Sequence, residues 1–302
     1  MTTPLALKID VDTLRGTLDG VPRLVDCLHR RGAQASFLFS LGPDHTGRAL
    51  KRAFRPGFLQ KVGRTSVVEH YGIRTLMYGV LLPGPDIGRK AADVMRQVRD
   101  AGFEVGVHCW DHVKWQDGVA TADDAWTDAE FDKALSRFRE VFGSTPQVHG
   151  AAGWQMNRRA LVRLGQAGIA VSSDCRGRAP FRPTWDGTPL PGVQLPTTLP
   201  TLDELIGIDG ITVANVGEHL LRVTATPPPR GHVFTLHAEL EGMKLLPVFE
   251  RLLDGWTAQG YEFVSLGSLF ARLDPAMLPQ QPIAWGHIPG RSGMLLVQGG
   301  RL

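Results

Sequence analysis

Apolar and polar positions along this chain change period again and again. Short apolar runs over 5–9 (LALKI), 33–39 (AQASFLF), 103–107, 147–149, 169–172, 233–236 and 262–264 read as strands. Between them, 21–31, 87–101, 128–142, 157–167 and 245–259 repeat apolar residues at three- and four-residue spacing, the period of an amphipathic helix. Gly32, Gly102 and Gly168 fall just behind three of these stretches, where a helix ends most easily on a residue free to adopt positive φ. Strand, helix, glycine, strand is the rhythm of parallel strands covered by helices. Some seven strands favour closure into a distorted (β/α)7-type barrel, an α/β fold, over an open sheet. There is no internal repeat, and the Pro/Gly-rich stretches at 180–200 and 226–231 read as loops within one domain spanning 1–302.

The rhythm breaks once. Residues 46–85 are too long for an ordinary strand-to-helix connection. Arg48, Lys51, Arg52, Arg55, Lys61, Arg64 and Arg74 stand there against the single acid Glu69, interleaved with apolar residues such as Phe54, Phe58, Leu59, Val67, Tyr71 and Leu76. Such a basic amphipathic insertion suits helices lying on an anionic membrane surface, or a solvated lid packed on the barrel.

Composition narrows the class. At 302 residues, with 43% hydrophobic and 21% charged, the chain has the make-up of a soluble globular protein able to bury a large core. No apolar run approaches the roughly 18 residues that span a bilayer, so no transmembrane helix is expected. The opening MTTPLALKIDVDT lacks the basic and apolar regions of a signal peptide. Three widely spaced cysteines, Cys27, Cys109 and Cys175, do not make a disulfide framework and fit a reducing cytoplasm. A net charge of +3 is too small to argue for nucleic acid.

Four clusters follow predicted strands, where α/β folds gather their chemistry. Asp10 and Asp12 flank Val11, so on an extended chain both carboxylates face one volume, a costly arrangement unless a cation neutralises them. His108 and His112 are four apart and share a face if the chain turns helical after its strand. Imidazoles suit divalent metals. His237 ends the run VFTLH, well placed as a general acid or base. Asp174 and Arg176 follow IAVS, where one can orient a histidine and the other bind an anion. Each has a plainer reading: capping aspartates, structural histidines, a loop salt bridge. Together, a carboxylate and two histidines form a three-ligand site with a place for water, leaving one aspartate as base and one histidine as acid.

In this order the clusters resemble the polysaccharide deacetylase family, the NodB-homology domains of carbohydrate esterase family 4. The resemblance implies Asp10 as base, Asp12, His108 and His112 as ligands of one divalent ion (zinc, cobalt or manganese), His237 as acid, and Asp174 as the partner of the catalytic histidine. Two departures stand out. The aspartates are D-V-D rather than adjacent, and the family's R-x-P-Y motif falls on Gly150-Ala151-Ala152-Gly153-Trp154, with no arginine to hold the base. Arg176 offers itself for that task. Longer runs, among them KIDVDTLRGTLDGVPRL, GVHCWDHVKWQ and LPTTLPTLDELIG, resemble a branch of the family that deformylates an amino sugar carried on undecaprenyl phosphate during lipid A modification. That implies a lipid-linked sugar substrate and peripheral placement on the cytoplasmic face of the bacterial inner membrane, with no obligate protein partner. Arg176, Arg178 and Arg182 are then candidates for the phosphodiester, and Trp110 and Trp154 for pocket walls or core. A de-N-acetylase of another glycan, or a non-catalytic lipid-sugar binder, are the competing expectations.

Overall fold

In the computed structural model, which describes residues 2–49 and 72–300, one strand organises the rest. This is β1 (Thr3–Val11). It is followed by β2 (Ser36–Ser40), β3 (Glu104–Cys109), β4 (Val148–His149), β5 (Val171–Ser172), β6 (Arg182–Trp185), β7 (Thr188–Pro189), β8 (Val193–Gln194), β9 (His232–His237), β10 (Tyr261–Val264), β11 (Gln280–Gly286) and β12 (Leu295–Gln298). Strands β9-β1-β2-β3-β4-β5-β8 form a curled, wholly parallel sheet. Its two edges meet where Thr198 N donates to Val233 O at 3.1 Å and the Thr197 and Thr235 hydroxyls bond at 2.7 Å. The result is a distorted seven-stranded barrel, with β10 added beside the start of β1.

Alternation along β1 divides the interior in two. Leu5, Leu7, Ile9 and Val11 point outward into the main core beneath the helices. Ala6 points into the barrel, where it joins Leu38, Val148, Val171, Val193, Val233 and Val264, all contributed by different strands. Lys8, Asp10 and Asp12 continue that inner face toward the C-terminal end of the strand, so the barrel's apolar plug gives way to charge there.

The helices form for local reasons. Helix Asp124–Phe142 starts where the Asp123 carboxylate accepts the Trp126 N–H and stops at Gly143, whose φ is 71°. It thus begins four residues before the apolar pattern suggests. The stretch 87–101 is two helices, Ile87–Lys90 and Ala92–Asp100, broken at Ala91 with φ −116°. Helix Leu246–Ala258 buries Val248, Phe249, Leu252, Leu253 and Trp256.

One expectation is corrected. Residues 180–200 are not merely loop: they carry β6, β7 and β8, strands of two to four residues that include Pro183 and Pro189 and are too short to show alternation. The tail also has structure, since β11 and β12 form a second sheet in the order β12-β11-β6-β7. Of the 46–85 insertion, a short helix Ile73–Met77 and a turn with exposed Val80 and Leu81 are seen. Lys51, Arg52, Phe54, Arg55, Phe58, Leu59, Lys61, Arg64, Val67, Glu69 and Tyr71 lie outside the described residues.

Trp256 tests the main core. Its ring is fully buried and meets Phe234 edge-on, with 5.1 Å between ring centroids, and its Nε1 donates to Thr224 Oγ1. Trp256→Ala should lower unfolding free energy by about 3–5 kcal/mol in urea titration, while Leu81→Ser, on the exposed turn, should stay within about 0.5 kcal/mol of the parent.

Candidate active site

The inner face of β1 and the ends of its neighbours bring the predicted residues together. β3 runs to Cys109, Asp111 caps the next helix by accepting Lys114 N–H at 3.1 Å, and His112 is that helix's first residue. The strand-to-helix turn therefore sets His108 and His112 side by side, ring centroids 5.3 Å apart. Asp12 faces both: Oδ1 is 3.3 Å from His108 Nε2 and Oδ2 is 3.4 Å from His112 Nε2. Among the described residues these three alone gather metal-ligand atoms within 4.8 Å of one another.

The donor set fits a divalent ion. Bonds of about 2.0–2.1 Å at tetrahedral angles put neighbouring ligand atoms about 3.3 Å apart, close to the two Asp12–histidine distances. His108 Nδ1 donates to Gly150 O at 2.6 Å, which fixes the tautomer and turns the Nε2 lone pair toward Asp12. Asp12 Oδ1 is buried with no hydrogen-bond partner. Burial alone would raise the Asp12 pKa, but His112 and His108 hold the carboxyl well below the usual carboxylate range. Burial likewise opposes a proton on His108, yet Asp10 and Asp12 outweigh it and lift the imidazole above its ordinary value. An incoming cation would displace that proton.

Asp10 and His237 lie beside this cluster. The register of β1 and β9 pairs them directly on adjacent parallel strands. Asp10 is buried, with Oδ2 3.0 Å from Lys8 Nζ and Oδ1 free of hydrogen bonds, 3.8 Å from His108 Nδ1. His237 Nδ1 is buried and has no partner among the described residues.

That last fact corrects the expected pairing of Asp174 with the acid. Asp174 is fully buried, and its oxygens are taken by His149 Nδ1 at 2.7 Å and Gln194 Nε2 at 2.9 Å. It orients His149 on β4, not His237. Arg176 is a second correction. Its guanidinium is buried and donates to Glu204, to Leu199 O at 2.9 Å and to Thr197 O at 3.3 Å, so it neither holds the base nor offers itself to an anion. Arg182 stands on β6 in the second sheet, its Nε donated to Leu278 O. Trp154 is buried behind the site, whereas Trp110 is partly exposed and packs over Gly42.

Two acids in the site gave no signal of their own, although both lie in the run HAELE just past His237. Glu239 Oε1 accepts from Asp12 N, Thr13 N and Thr13 Oγ1 at 2.8–3.0 Å, pinning the loop that presents Asp12. A Cβ on Gly16 would stand 1.9 Å from that oxygen, so the loop needs glycine there. Burial and the nearby Asp12 charge raise the Glu239 carboxyl well above its usual value. Glu241 accepts the His237 N–H at 2.8 Å. Of the nine buried side-chain atoms without a partner among the described residues, five belong to Asp10, Asp12, His237, Glu239 and Glu241, and that concentration marks a site built for something not of this chain.

The sequence profile described as polysaccharide deacetylase matches residues 10–172. This chain belongs to the polysaccharide deacetylase family. A relative from Shewanella sediminis is 38% identical over 97% of this chain and 94% of its own length. One from Wigglesworthia glossinidia brevipalpis is 30% identical over 94% and 98%. Both are named as 4-deoxy-4-formamido-L-arabinose-phosphoundecaprenol deformylase ArnD. Among solved structures, a polysaccharide deacetylase from Mycobacterium smegmatis superposes with a TM-score of 0.58 at 15% identity, covering 91% of this chain and 93% of that one. The Bc1960 peptidoglycan N-acetylglucosamine deacetylase does so with 0.52 at 14%, covering 89% and 88%. These structures share the fold of this family member.

Burial pushes the Glu241 carboxyl up to about 8 from an ordinary 4.5, despite the backbone N–H it accepts. A raised carboxyl stabilises the fold fully below pH 4.5, and that contribution is lost as pH rises through 8. Glu241→Gln keeps the neutral form at every pH. In metal-free protein its melting temperature should match the parent's below pH 4.5, exceed it by a margin that grows between pH 4.5 and about 8, and keep that margin above 8.

Proposed function

We propose that this chain removes the formyl group from an amino sugar carried on undecaprenyl phosphate, releasing formate and a primary amine. The carrying observation is the pairing of Asp10 and His237 across adjacent strands beside the Asp12–His108–His112 cluster. The names and near full-length match of the two deformylases support the substrate.

A divalent ion held by Asp12, His108 and His112 would lower the pKa of an attacking water and polarise the formamide carbonyl. Zinc, cobalt and manganese all suit these donors. Asp10 takes the proton of the attacking water on its free Oδ1. His237 gives a proton to the sugar nitrogen as the C–N bond breaks, because an amine leaves poorly as its anion. Glu239 holds the Asp12 loop and Glu241 the His237 backbone, which limits rearrangement during the reaction.

The lipid phosphate needs cations outside this cluster. Arg15, Arg23 and Lys244, with Asp19 and Met243, line a cavity of about 440 Å³. It sits on the segments that follow β1 and β9, chain-wise just beyond Asp12 and His237. Basic side chains at that rim suit a phosphodiester better than the buried Arg176 does. Among the described residues no helix is long and apolar enough to cross a membrane. Peripheral docking on the cytoplasmic face, through the basic insertion and the exposed Ile73, Val80 and Leu81, would bring the cavity to the lipid.

Formate release from the lipid-linked formamido sugar should stop with chelator and return with added Zn²⁺, Co²⁺ or Mn²⁺. Asp10→Ala should lower kcat by about 10²–10⁴-fold with metal still bound, while His108→Ala should lose metal by calorimetry. Sugar binding without formate release by the metal-loaded parent would leave a binder, and turnover in chelator would remove the metal. Arg23→Ala should raise KM about tenfold and leave kcat near the parent's.

A further inference from the structure

We infer that Lys8 is the positioning residue for Asp10, and that Gly150 is glycine because the Lys8 side chain occupies the space its own side chain would need. The inference rests on the deacylase reading for the role of Asp10, but the geometry stands by itself. Lys8 is fully buried on the inner face of β1, two residues before Asp10, level with Ser36 and Thr235 on the adjacent strands and just beyond the barrel's aliphatic plug. Its ammonium meets Asp10 Oδ2 at 3.0 Å and lies 5.2 Å from the centroid of the Trp154 ring. A Cβ built on Gly150 would come within 2.6 Å of Lys8 Cε and 2.4 Å of Leu38 Cδ1. Gly150 is also the residue whose carbonyl fixes His108. The motif that lacks its arginine, just past β4, thus supplies room for a cation reaching in from β1, which is separated from β4 by β2 and β3 in the sheet.

The pairing selects one oxygen. With Oδ2 held, the Asp10 carboxylate cannot spin freely about Cβ–Cγ, and Oδ1 stays directed at the cluster without a partner of its own. A purely structural role would be poorly served by this pair. A buried ion pair is commonly no more stable than apolar side chains of the same volume, and methionine fills the space of lysine without the charge.

That difference gives the test. Lys8→Met should keep the parent's melting temperature or exceed it and bind Zn²⁺ as the parent does in calorimetry. Its kcat for formate release should fall about a hundredfold with KM unchanged, and its crystal structure should show Asp10 rotated or in two rotamers. The double variant Lys8→Ala/Gly150→Arg, which returns a cation from the other strand, should recover activity over Lys8→Ala. Lys8→Met with parental kcat, or with Asp10 in the parental rotamer, overturns the inference. So does recovery by Lys8→Met but not by the double variant. If Lys8→Met does not fold, Gly150→Ala decides: its Cβ displaces the ammonium, and parental kcat in that protein refutes the role. A parent that releases no formate indicts the proposed activity, and the Asp10 rotamer still judges Lys8.

Discussion

Lys8 and Asp10 occupy alternate positions of β1 and Asp12 the next one just past its end, and the alternation that sends Leu5, Leu7, Ile9 and Val11 to the helices sends all three charges to the inner side. Burying charge is expensive, by several kcal/mol per ion even after relaxation. Most of what is distinctive around the strand compensates for it. Lys8 neutralises Asp10, and the two histidines answer Asp12. Glu239 ties down the loop that follows. A slip of one residue in the pairing of β1 would expose the charges to the outer core and drive leucines inward, so the register that makes the fold also makes the site.

The elements whose pattern was long enough to declare itself were legible in the sequence. β1, β2, β3 and β9 are four residues or more, and the helices that cover them repeat with helical period. Their order and the count of some seven apolar runs sufficed for a parallel barrel. What stayed hidden was short or contradictory. β8 has two residues, enough to complete a barrel but too few to alternate, whereas the equally short β4 and β5 lie inside the apolar runs 147–149 and 169–172. β6 and β7 contain proline and belong to a separate sheet completed by the tail, a contact about a hundred residues distant in sequence.

The same distinction separates the site residues. Asp10, Asp12, His108, His112 and His237 were legible as candidates because each lies at or just past the end of a recognisable strand, and strand ends converge. Lys8 was invisible, because a lysine inside an apolar run reads as one polar position of an alternating strand, and only the tertiary structure shows that its polar face is the inside of a barrel. Asp174 was misassigned through the family pattern: it does pair with a histidine, but with His149 on the strand beside its own. Arg176 was misjudged for a related reason. An arginine following a strand resembles an anion hook until Glu204 and two carbonyls are seen to occupy it.

Arg176 nonetheless explains how the tail bears on the chemistry. Its backbone N–H and C=O bond to Leu296 and Gln298 of β12, and its guanidinium lies 5.0 Å from the centroid of the Trp154 ring. Arg291, from the turn before β12, approaches the same ring at 4.7 Å and bonds Glu204 at 2.8 Å. Lys8 completes the set of cations around that indole. Trp154 has a φ of 53°, a conformation that costs a residue with a side chain of the order of 1 kcal/mol or more unless its surroundings impose it. Three cations and a hydrogen bond from Nε1 to Thr197 Oγ1 impose it here. The carboxyl-terminal hairpin therefore braces the indole against which the ammonium of Lys8 rests. Through Lys8, a segment about 280 residues away in sequence helps hold the Asp10 carboxylate by its Oδ2.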